Sequence, residues 1–386
     1  MEIDPKLLDY CTSRQREILE AIIAQGDCKK ASLSLGLNIG NASATLANVR
    51  AKAAKNGYAP GHFDQGTAPG FEMGKVTIQR AGNGAVERTW ERQSPDQERV
   101  LEALRAAVDA MAGDITPAAP TPLPGVTFHD LLTLYTFTDF HLGALCWHKE
   151  GGDDWDVQIA ETVGTRAMGA LVDGAPKSHT AIVNIQGDFM HYDGLQAITP
   201  MHGHILDADS RFGKLVEVAI RLIRTLVATA LSKHDEVTLL IAEGNHDICS
   251  SLWLRKLFGA LYENEPRVTV HESEIPYYAI RWGNTMLGFH HGHLKKNDQL
   301  PALFAAQFRE MWGQCEKVAI HTGHRHHREV KEHPGAEVIQ HPTLAARDAY
   351  AVRGGWWSDR RISALTYHRR FGEVGSNTVT PEMISD

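Results

Sequence analysis

Apolar positions recur with helical period along the first sixty residues of the chain. Thr12 and Gln15 have the spacing of a capping box, and the apolar residues that follow them recur on one helical face. Further short helices are predicted over 29–35 and 41–55, with a tight glycine-containing turn between them. Three short helices joined in this way are typical of a helix-turn-helix, so we expect a small domain of that kind over 1–58.

The next part of the chain lacks helical periodicity at first and then alternates. Two alternating segments, 75–80 and 85–92, flank a Gly-Asn-Gly turn and predict a β-hairpin, and a helix is predicted to follow over 94–111. We assign 59–114 to a connector that contains this hairpin and helix. Four prolines within 115–125 indicate a semi-rigid linker.

Short apolar strands alternate with helices in the rest of the chain. Strands are predicted over 132–138, 180–186, 237–242, 278–281, 286–290, 318–322 and 337–339, with a last strand pair over 367–379. Helices are predicted over 154–173, 209–232, 250–262 and 298–313. This alternation favours a single α/β domain over 126–386.

Composition excludes several classes of protein. The chain has 386 residues, 43% of them hydrophobic and 22% charged, as in an ordinary soluble globular protein rather than a collagen-like, disordered or membrane-spanning one. Charged residues interrupt the first 20 positions, which leaves no signal peptide, and the five cysteines form no C-x-x-C pair. We therefore expect a cytoplasmic protein in a reducing compartment, without disulfides or membrane contact.

Charge is distributed unevenly along the chain. The net charge is −8, yet the segment 28–58 contains five basic residues and no acidic one. A basic segment in an acidic protein is what binding to a phosphate backbone requires, and it predicts DNA contacts by Lys29, Lys30, Arg50, Lys52 and Lys55. The alternative is an adaptor or dimerisation bundle with a solvated basic face. The sequence does not fix the oligomeric state, and a homodimer remains open.

Five clusters of carboxylates, amides and imidazoles lie at or near the ends of predicted strands. They occupy 138–143, 186–191, 243–247, 290–293 and 321–326, and all but one of the 21 histidines lie at or beyond position 129. Loops at the carboxyl ends of strands in an open α/β sheet meet in one crevice. Such donors together suit a pair of divalent cations, which in two-metal sites lie roughly 3.5–4 Å apart.

The five clusters, in this order, resemble the calcineurin-like metallophosphoesterase superfamily, whose pattern is D-x-H, G-D, G-N-H-[DE], H and G-H-x-H. The resemblance extends over about 130–345. It is strongest to the DNA-repair exonucleases that form the nuclease subunit of double-strand-break repair complexes, since 138–143 is similar to their S-D-x-H-L-G and 187–191 to their G-D-x-x-H. Phosphoprotein phosphatases usually have Asp where His191 stands. The family implies a β-sandwich flanked by helices, in four αββα layers.

The resemblance also implies two metal sites that share Asp188. The first would be formed by Asp139, His141, Asp188 and His326, and the second by Asp188, Asn245, His291 and His324. His291 is chosen among the histidines at 290, 291 and 293 because the family's ligand precedes the glycine. His246 would be the general acid, with Asp247 as its orienting partner, and His191 would contact the substrate phosphate.

Two cations in this site would activate a water and neutralise the phosphate oxygens. His246 could then protonate the departing alkoxide, because an imidazole titrates near neutral pH. Manganese is favoured by resemblance to the nucleases, whereas the oxygen and nitrogen donors also permit Fe, Zn or Ni.

Three functions follow as hypotheses. The first is a metal-dependent DNA nuclease; the second is a small-molecule or cyclic-nucleotide phosphoesterase with an adaptor N-terminus; the third is a DNA-binding regulator with a vestigial phosphoesterase domain. Trp356 and Trp357, near several arginines, could stack on unpaired bases, but we expect at least one of them in the core.

Overall fold

The chain forms two compact units, Met1–Ala106 and Ala107–Asp386. The computed structural model describes residues 3–56, 58, 71–80, 86–95, 116–200 and 203–385. The segment 116–125, predicted as a linker, is hydrogen-bonded within the second unit. The Thr121 amide and hydroxyl both donate to Glu265 Oε2, at 2.7 and 2.8 Å.

The first unit contains the three predicted helices. They are α1 (Ser13–Gln25), α2 (Cys28–Ser34) and α3 (Asn41–Lys55), preceded by a 3-10 helix over Pro5–Tyr10. Thr12 and Gln15 form the predicted capping box of α1, and the Asp27 carboxylate accepts from the Lys30 amide at the start of α2. Their apolar faces form one core that includes Leu19, Ile22, Ala31, Leu46 and Val49. The helices are confirmed, while their reading as a helix-turn-helix stays a prediction.

The predicted hairpin is also present in this unit. Strands β1 (Phe71–Arg80) and β2 (Val86–Pro95) are antiparallel, and both extend beyond their predicted outer ends. The prediction that a helix begins at Ser94 is wrong, because Ser94 pairs with Glu72 in the hairpin. The remainder of that predicted helix lies outside the described residues.

The second unit contains two β-sheets. The six-stranded sheet has the order β13-β12-β3-β4-β5-β6, in which β3 to β6 run parallel. Its strands are β3 (Phe128–Phe137), β4 (Ser178–Ile185), β5 (Glu236–Ile241), β6 (Val268–Val270), β12 (Ile362–His368) and β13 (Gly372–Val379). The five-stranded sheet has the order β10-β11-β9-β8-β7, in which β8, β9 and β11 run parallel. Its strands are β7 (Tyr278–Trp282), β8 (Thr285–Phe289), β9 (Lys317–Thr322), β10 (Glu329–His333) and β11 (Ala336–Gln340).

Seven α-helices are described in this unit. They are α4 (His148–Gly151), α5 (Val157–Gly174), α6 (Phe212–Leu231), α7 (Ile248–Leu261), α8 (Leu300–Gln307), α9 (Arg309–Gln314) and α10 (Ala349–Arg353). The prediction of a single helix over 298–313 is wrong. Phe308, at φ −118° and ψ 46°, lies outside the helical region and separates α8 from α9. Within the described residues, we find no helix with the length and apolar character needed to cross a bilayer.

The two sheets pack face to face, with helices outside them. Leu134 and Leu240 of the larger sheet share one core with Leu287 and Phe289 of the smaller sheet. On the other face of the smaller sheet, Phe304 of α8 belongs to a second core. Helices α5 and α6 pack against strands of the larger sheet. The predicted four-layer αββα architecture is confirmed.

Candidate metal centre

The five donor-rich clusters lie at the carboxyl ends of parallel strands from both sheets. Strands β3, β4 and β5 supply three of them and β8 and β9 supply the other two. Backbone hydrogen bonds join the loops: the Asp139 amide donates to the Gly187 carbonyl at 3.1 Å, and the Gly323 amide to the His291 carbonyl at 2.7 Å. The centre therefore lies where the edges of the two sheets meet.

One group of donors consists of Asp139, His141 and His326. His326 Nε2 lies 3.2 Å from Asp139 Oδ1 and 3.3 Å from His141 Nε2. Two ligands bound to one ion at about 2.1 Å are themselves about 3.0–3.4 Å apart. The spacing of these atoms thus matches the coordination shell of a single small cation.

A second group consists of Asp188, His291 and His324. His291 Nε2 lies 3.1 Å from Asp188 Oδ2 and 3.8 Å from Asp139 Oδ1, so this imidazole adjoins both groups. The predicted role of Asp188 as a bridge between two ions stays a prediction. Of the three histidines considered at 290, 291 and 293, His291 is the one grouped with Asp188.

Unsatisfied polar atoms mark the centre as a fit for cations. Asp139 Oδ1 and Asn245 Oδ1 are buried, and neither has a hydrogen-bond partner among the described residues. A buried polar atom left in this state costs about 1–3 kcal/mol. Cations held by the two groups would give these oxygens the partners that no hydrogen bond supplies. The residues present therefore fit a pair of divalent ions.

The backbone at the candidate ligands has an unusual conformation. Non-glycine residues with positive φ are uncommon, because the Cβ atom crowds the backbone there. All such residues in the described chain are predicted metal ligands, namely Asp139 (49°), His141 (45°), Asp188 (49°), His324 (72°) and His326 (60°). Outliers of this kind cluster at functional sites.

Hydrogen bonds fix the direction of individual donors. Asp139 Oδ2 accepts from the Thr138 hydroxyl at 2.6 Å and from the His324 amide at 2.8 Å, which leaves Oδ1 for a cation. His291 Nδ1 lies 2.9 Å from the Gln186 carbonyl, so Nδ1 carries the proton and Nε2 faces the centre.

Asp247 has a different role from the one predicted. Its carboxylate accepts hydrogen bonds from the backbone amides of Gly244, Asp188, Phe189 and Met190. The His246 side chain is oriented instead by the His191 carbonyl, which lies 2.8 Å from Nδ1. The prediction that Asp247 orients His246 is therefore wrong, because backbone donors already occupy both of its oxygens.

His191 is buried beside the first group of donors. Its Nδ1 lies 3.3 Å from His141 Nδ1, and its ring stacks on that of His246 with centroids 5.6 Å apart. Its predicted contact with substrate phosphate stays a prediction. The structure adds a positioning role through its backbone carbonyl.

The protonation states at the centre are mixed. Burial by itself raises the pKa of the Asp188 carboxyl, but His291 and His246 outweigh burial and hold that pKa well below its usual range. Burial, followed by the nearby His246, lowers the pKa of His141 well below its usual value, and burial likewise lowers the pKa of His324. Ionised carboxylates and neutral imidazoles are the forms that bind cations.

Two other imidazoles of the centre have a raised pKa. Burial opposes protonation, but the Asp188 and Asp139 carboxylates raise the pKa of His291 to about 10. Against the same effect of burial, Asp139 likewise raises the pKa of His326 above its usual value. These two imidazoles would have to lose a proton to bind cations, whereas the other ligands already have suitable forms.

The residues predicted to bind DNA lie in the first unit. Lys29 and Lys30 are exposed in the first turn of α2, and Arg50 and Lys52 are exposed on α3. Lys55 is the last residue of α3, and its side chain lies outside the described residues. Binding of DNA by these residues stays a prediction.

Other polar residues of the structure were not identified from the sequence. The Thr343 hydroxyl donates to the Asp139 carbonyl at 2.6 Å, although its position 204 residues away gave no signal. At least three of the histidines outside the centre have structural roles. Buried His234 bonds to Ser178 and Tyr135, and buried His321 bonds to His341.

Comparison with known proteins yields structural likeness alone. No protein-family model and no curated sequence matches the chain. Similar solved structures include a conserved uncharacterized protein, a predicted phosphoesterase, from Streptococcus pneumoniae TIGR4 (10% identity, 65% of this chain and 91% of that one, TM-score 0.27). Another is Vps29 with zinc from Entamoeba histolytica (14% identity, 64% of this chain and 99% of that one, TM-score 0.26). A third is an archaeal phosphodiesterase (14% identity, 64% of this chain and 99% of that one, TM-score 0.31). At these TM-scores the likeness supports no functional conclusion.

Proposed function

We propose that the chain is a metal-dependent hydrolase of phosphodiester bonds, and that its substrate is DNA. One observation carries this proposal: of three groups of metal-type donors, two adjoin each other through His291, and the third joins His246 and His191 to His141. The order of the five motifs, and their resemblance to DNA-repair exonucleases, favour a nuclease among phosphoesterases.

The chain's residues would hold two divalent cations, of which manganese is favoured. Asp139, His141 and His326 would bind one, and Asp188, Asn245, His291 and His324 the other. When bound, such a pair supplies charge neutralisation at the phosphate and activation of the attacking water.

His246 is the candidate proton donor to the leaving group. Its Nδ1 is directed at the His191 carbonyl, so a proton for transfer would sit on Nε2. Its backbone amide donates to Asp188 Oδ1 at 2.8 Å, which ties this residue to a candidate metal ligand. A group of this type contributes roughly 10²–10⁴-fold to rate.

The first unit supports DNA as the substrate. Four exposed cations lie on two of its helices, in a segment without acidic residues. Each phosphate that such a group neutralises releases counterions, which favours binding to a duplex regardless of base sequence.

The test is hydrolysis by the full chain with Mn²⁺. Labelled single- and double-stranded DNA are compared with bis-p-nitrophenyl phosphate and p-nitrophenyl phosphate. We expect metal-dependent cleavage of DNA and of the diester. Asp188→Asn should abolish both, whereas the matched control Asp359→Asn, at an exposed carboxylate, should retain them.

Two outcomes would contradict the proposal. Hydrolysis of the small esters with intact DNA, at the same metal concentration, would favour a small-molecule phosphoesterase. Absence of metal-dependent hydrolysis with every substrate and with Mn²⁺, Fe²⁺, Zn²⁺ and Ni²⁺ would favour a regulator with an inactive phosphoesterase domain.

A further inference from the structure

Four large aromatic side chains project into solvent on two segments of the second unit. Trp147, Tyr350, Trp356 and Trp357 are 55%, 72%, 56% and 76% exposed. The expectation that at least one of Trp356 and Trp357 packs in the core is wrong. Contiguous exposed apolar patches mark interaction sites, whereas single exposed side chains need no explanation, so the question is whether these four lie together.

Cationic side chains lie over two of these rings. The Arg347 guanidinium lies 3.8 Å from the centre of the Trp357 ring, and Lys149 Nζ lies 5.2 Å from that of Trp147. Tyr350 and Trp356 make an edge-to-face pair with centroids 5.1 Å apart. The rings are therefore held in place while much of their surface stays open to solvent.

The two segments are joined. Arg347 Nη2 donates to the Gly151 carbonyl at 3.0 Å, and the Cys146 thiol donates to the Ala346 carbonyl at 3.6 Å. Helices α4 and α10 are in contact as well. We call this surface, formed by Trp147, Lys149, Arg347, Tyr350, Trp356 and Trp357, the aromatic platform.

Both segments of the platform start at the metal centre. Trp147 follows His141 by six positions, so the two Cα atoms are at most roughly 22 Å apart. Thr343, which bonds to the Asp139 carbonyl, precedes Arg347 by four positions. A single strand of nucleic acid that lay on the platform would therefore need only a few nucleotides to reach the candidate metal ligands.

Three acidic residues near the platform are engaged, whereas Glu150 and Asp359 are exposed. Asp154 pairs with His148, Asp153 pairs with Arg360, and Asp348 caps α10 through the Ala351 amide. The Arg360 guanidinium offsets the charge of Asp153, and salt screens the repulsion between the remaining carboxylates and a phosphate backbone.

We propose that the aromatic platform binds the unpaired bases of single-stranded nucleic acid and leads the strand into the metal centre. This inference rests on the proposed function, which it deepens by naming the form of the substrate. Aromatic rings stack on any base because every base has a π-face, and adjacent Arg and Lys side chains suit the phosphates between bases. A duplex keeps its bases stacked inside and has no equivalent contact.

The test is equilibrium binding of a short fluorescein-labelled oligothymidylate in EDTA, followed by anisotropy, so that no cleavage intervenes. Trp356→Ala and Trp357→Ala should each weaken binding roughly 5- to 100-fold, whereas Trp357→Tyr should retain most of the affinity. Binding of a blunt duplex should change less. Phe371→Ala is the matched control, because Phe371 is 56% exposed, lies under Arg370 and belongs to another part of the fold.

Unchanged oligothymidylate affinity in both alanine variants, with unfolding temperatures like that of the parent protein, would overturn the inference. A change of sedimentation in these variants with unchanged affinity would assign the platform to contacts between copies of the chain instead. DNA cleavage by variants with normal affinity would leave the proposed function standing without the platform. Weakened binding in a chain that cleaves nothing would leave the platform standing without the proposed function.

Discussion

Nδ1 of His246 donates a hydrogen bond to the backbone carbonyl of His191 over 2.8 Å. This bond fixes the tautomer of the imidazole and leaves Nε2 as the nitrogen that can exchange a proton with a ligand. The sequence pattern identifies His246 as a candidate acid, but the partner that orients it is a main-chain atom of the second cluster.

If His246 protonates the leaving group, the effect of its removal depends on that group. His246→Ala should slow cleavage of a dinucleotide, which releases an alkoxide, by roughly 10²–10⁴-fold. Hydrolysis of bis-p-nitrophenyl phosphate should fall much less, because p-nitrophenolate leaves without a proton. Steady-state rates with both substrates give the answer, with exposed His129→Ala as control. Equal losses on the two substrates would contradict the role of general acid.

Gly244 allows the close approach of Asp188 to the neighbouring loop. A Cβ atom at Gly244 would lie 2.0 Å from Asp188 Oδ1, so Gly244→Ala should displace this carboxylate and weaken Mn²⁺ binding, measured by calorimetry. Gly259→Ala is the matched control, since its nearest neighbour, Glu272 Oε1, is 3.6 Å from the added atom. Equal Mn²⁺ affinity in the two variants would contradict the assignment of Asp188 as a ligand.

Asp247 stabilises the loops rather than the imidazole beside it. Asp247→Asn replaces one acceptor oxygen with a donor that faces backbone amides, so the free energy of unfolding should fall by about 1–3 kcal/mol. Urea unfolding in EDTA measures the change without any contribution from metal. Asp359→Asn should stay within about 0.5 kcal/mol of the parent protein. An Asp247→Asn variant as stable as the parent protein would contradict the role of Asp247 in stabilising these loops.

His234 should make stability depend on pH far from the metal centre. Burial lowers the pKa of His234 to about 4, whereas an unfolded histidine titrates near 6.5. Between these values the unfolded chain binds a proton that the folded chain does not, so stability is complete above about pH 6.5 and falls toward pH 4, by about 3 kcal/mol. His234→Gln should reduce the slope of the urea-derived stability over this range by that share, while His290 and His341, whose pKa burial also lowers to about 4, keep theirs. If the free energy of unfolding of the variant fell with pH as steeply as that of the parent protein, His234 would not be a source of the pH dependence.

The cations on α2 and α3 should govern the salt dependence of duplex binding. Replacing Arg50 and Lys52 by Gln should weaken duplex affinity and reduce the slope of log K against log salt by roughly 0.9 for each phosphate that the protein no longer neutralises. Arg14→Gln, at a cation paired with Glu17 on α1, is the control. The slope is measured by anisotropy across a salt series. An unchanged slope in the double variant would mean that these cations are solvated and do not contact DNA.

Local sequence signals predicted most of the second unit. Strands ending at donor-rich clusters were identified because apolar runs, glycines and paired imidazoles lie within a few residues of one another. The short edge strands β6 and β10 were missed, since Val268–Val270 has only three residues and Glu329–His333 is mostly exposed. Neither has the alternation that predicts a half-buried strand.

Contacts distant in sequence account for the remaining errors. The backbone partners of Asp247 lie close to it or some fifty-seven to fifty-nine residues away, so a motif alone could not show that its oxygens were taken. Exposure of Trp356 and Trp357 likewise depends on which neighbours cover them, and composition favours burial of tryptophan in general. Site geometry of this kind follows from tertiary packing.

The positive φ angles at Asp139, His141, Asp188, His324 and His326 bear on how ions are discriminated. Conformations that L-residues avoid persist only where surrounding contacts enforce them, so these donors have little freedom to shift toward an arriving ion. Calcium prefers six to eight oxygen ligands, whereas three of these five donors are imidazoles. Donors of this kind, held in place by the backbone, would therefore disfavour calcium and leave competition among the smaller cations to their relative abundance.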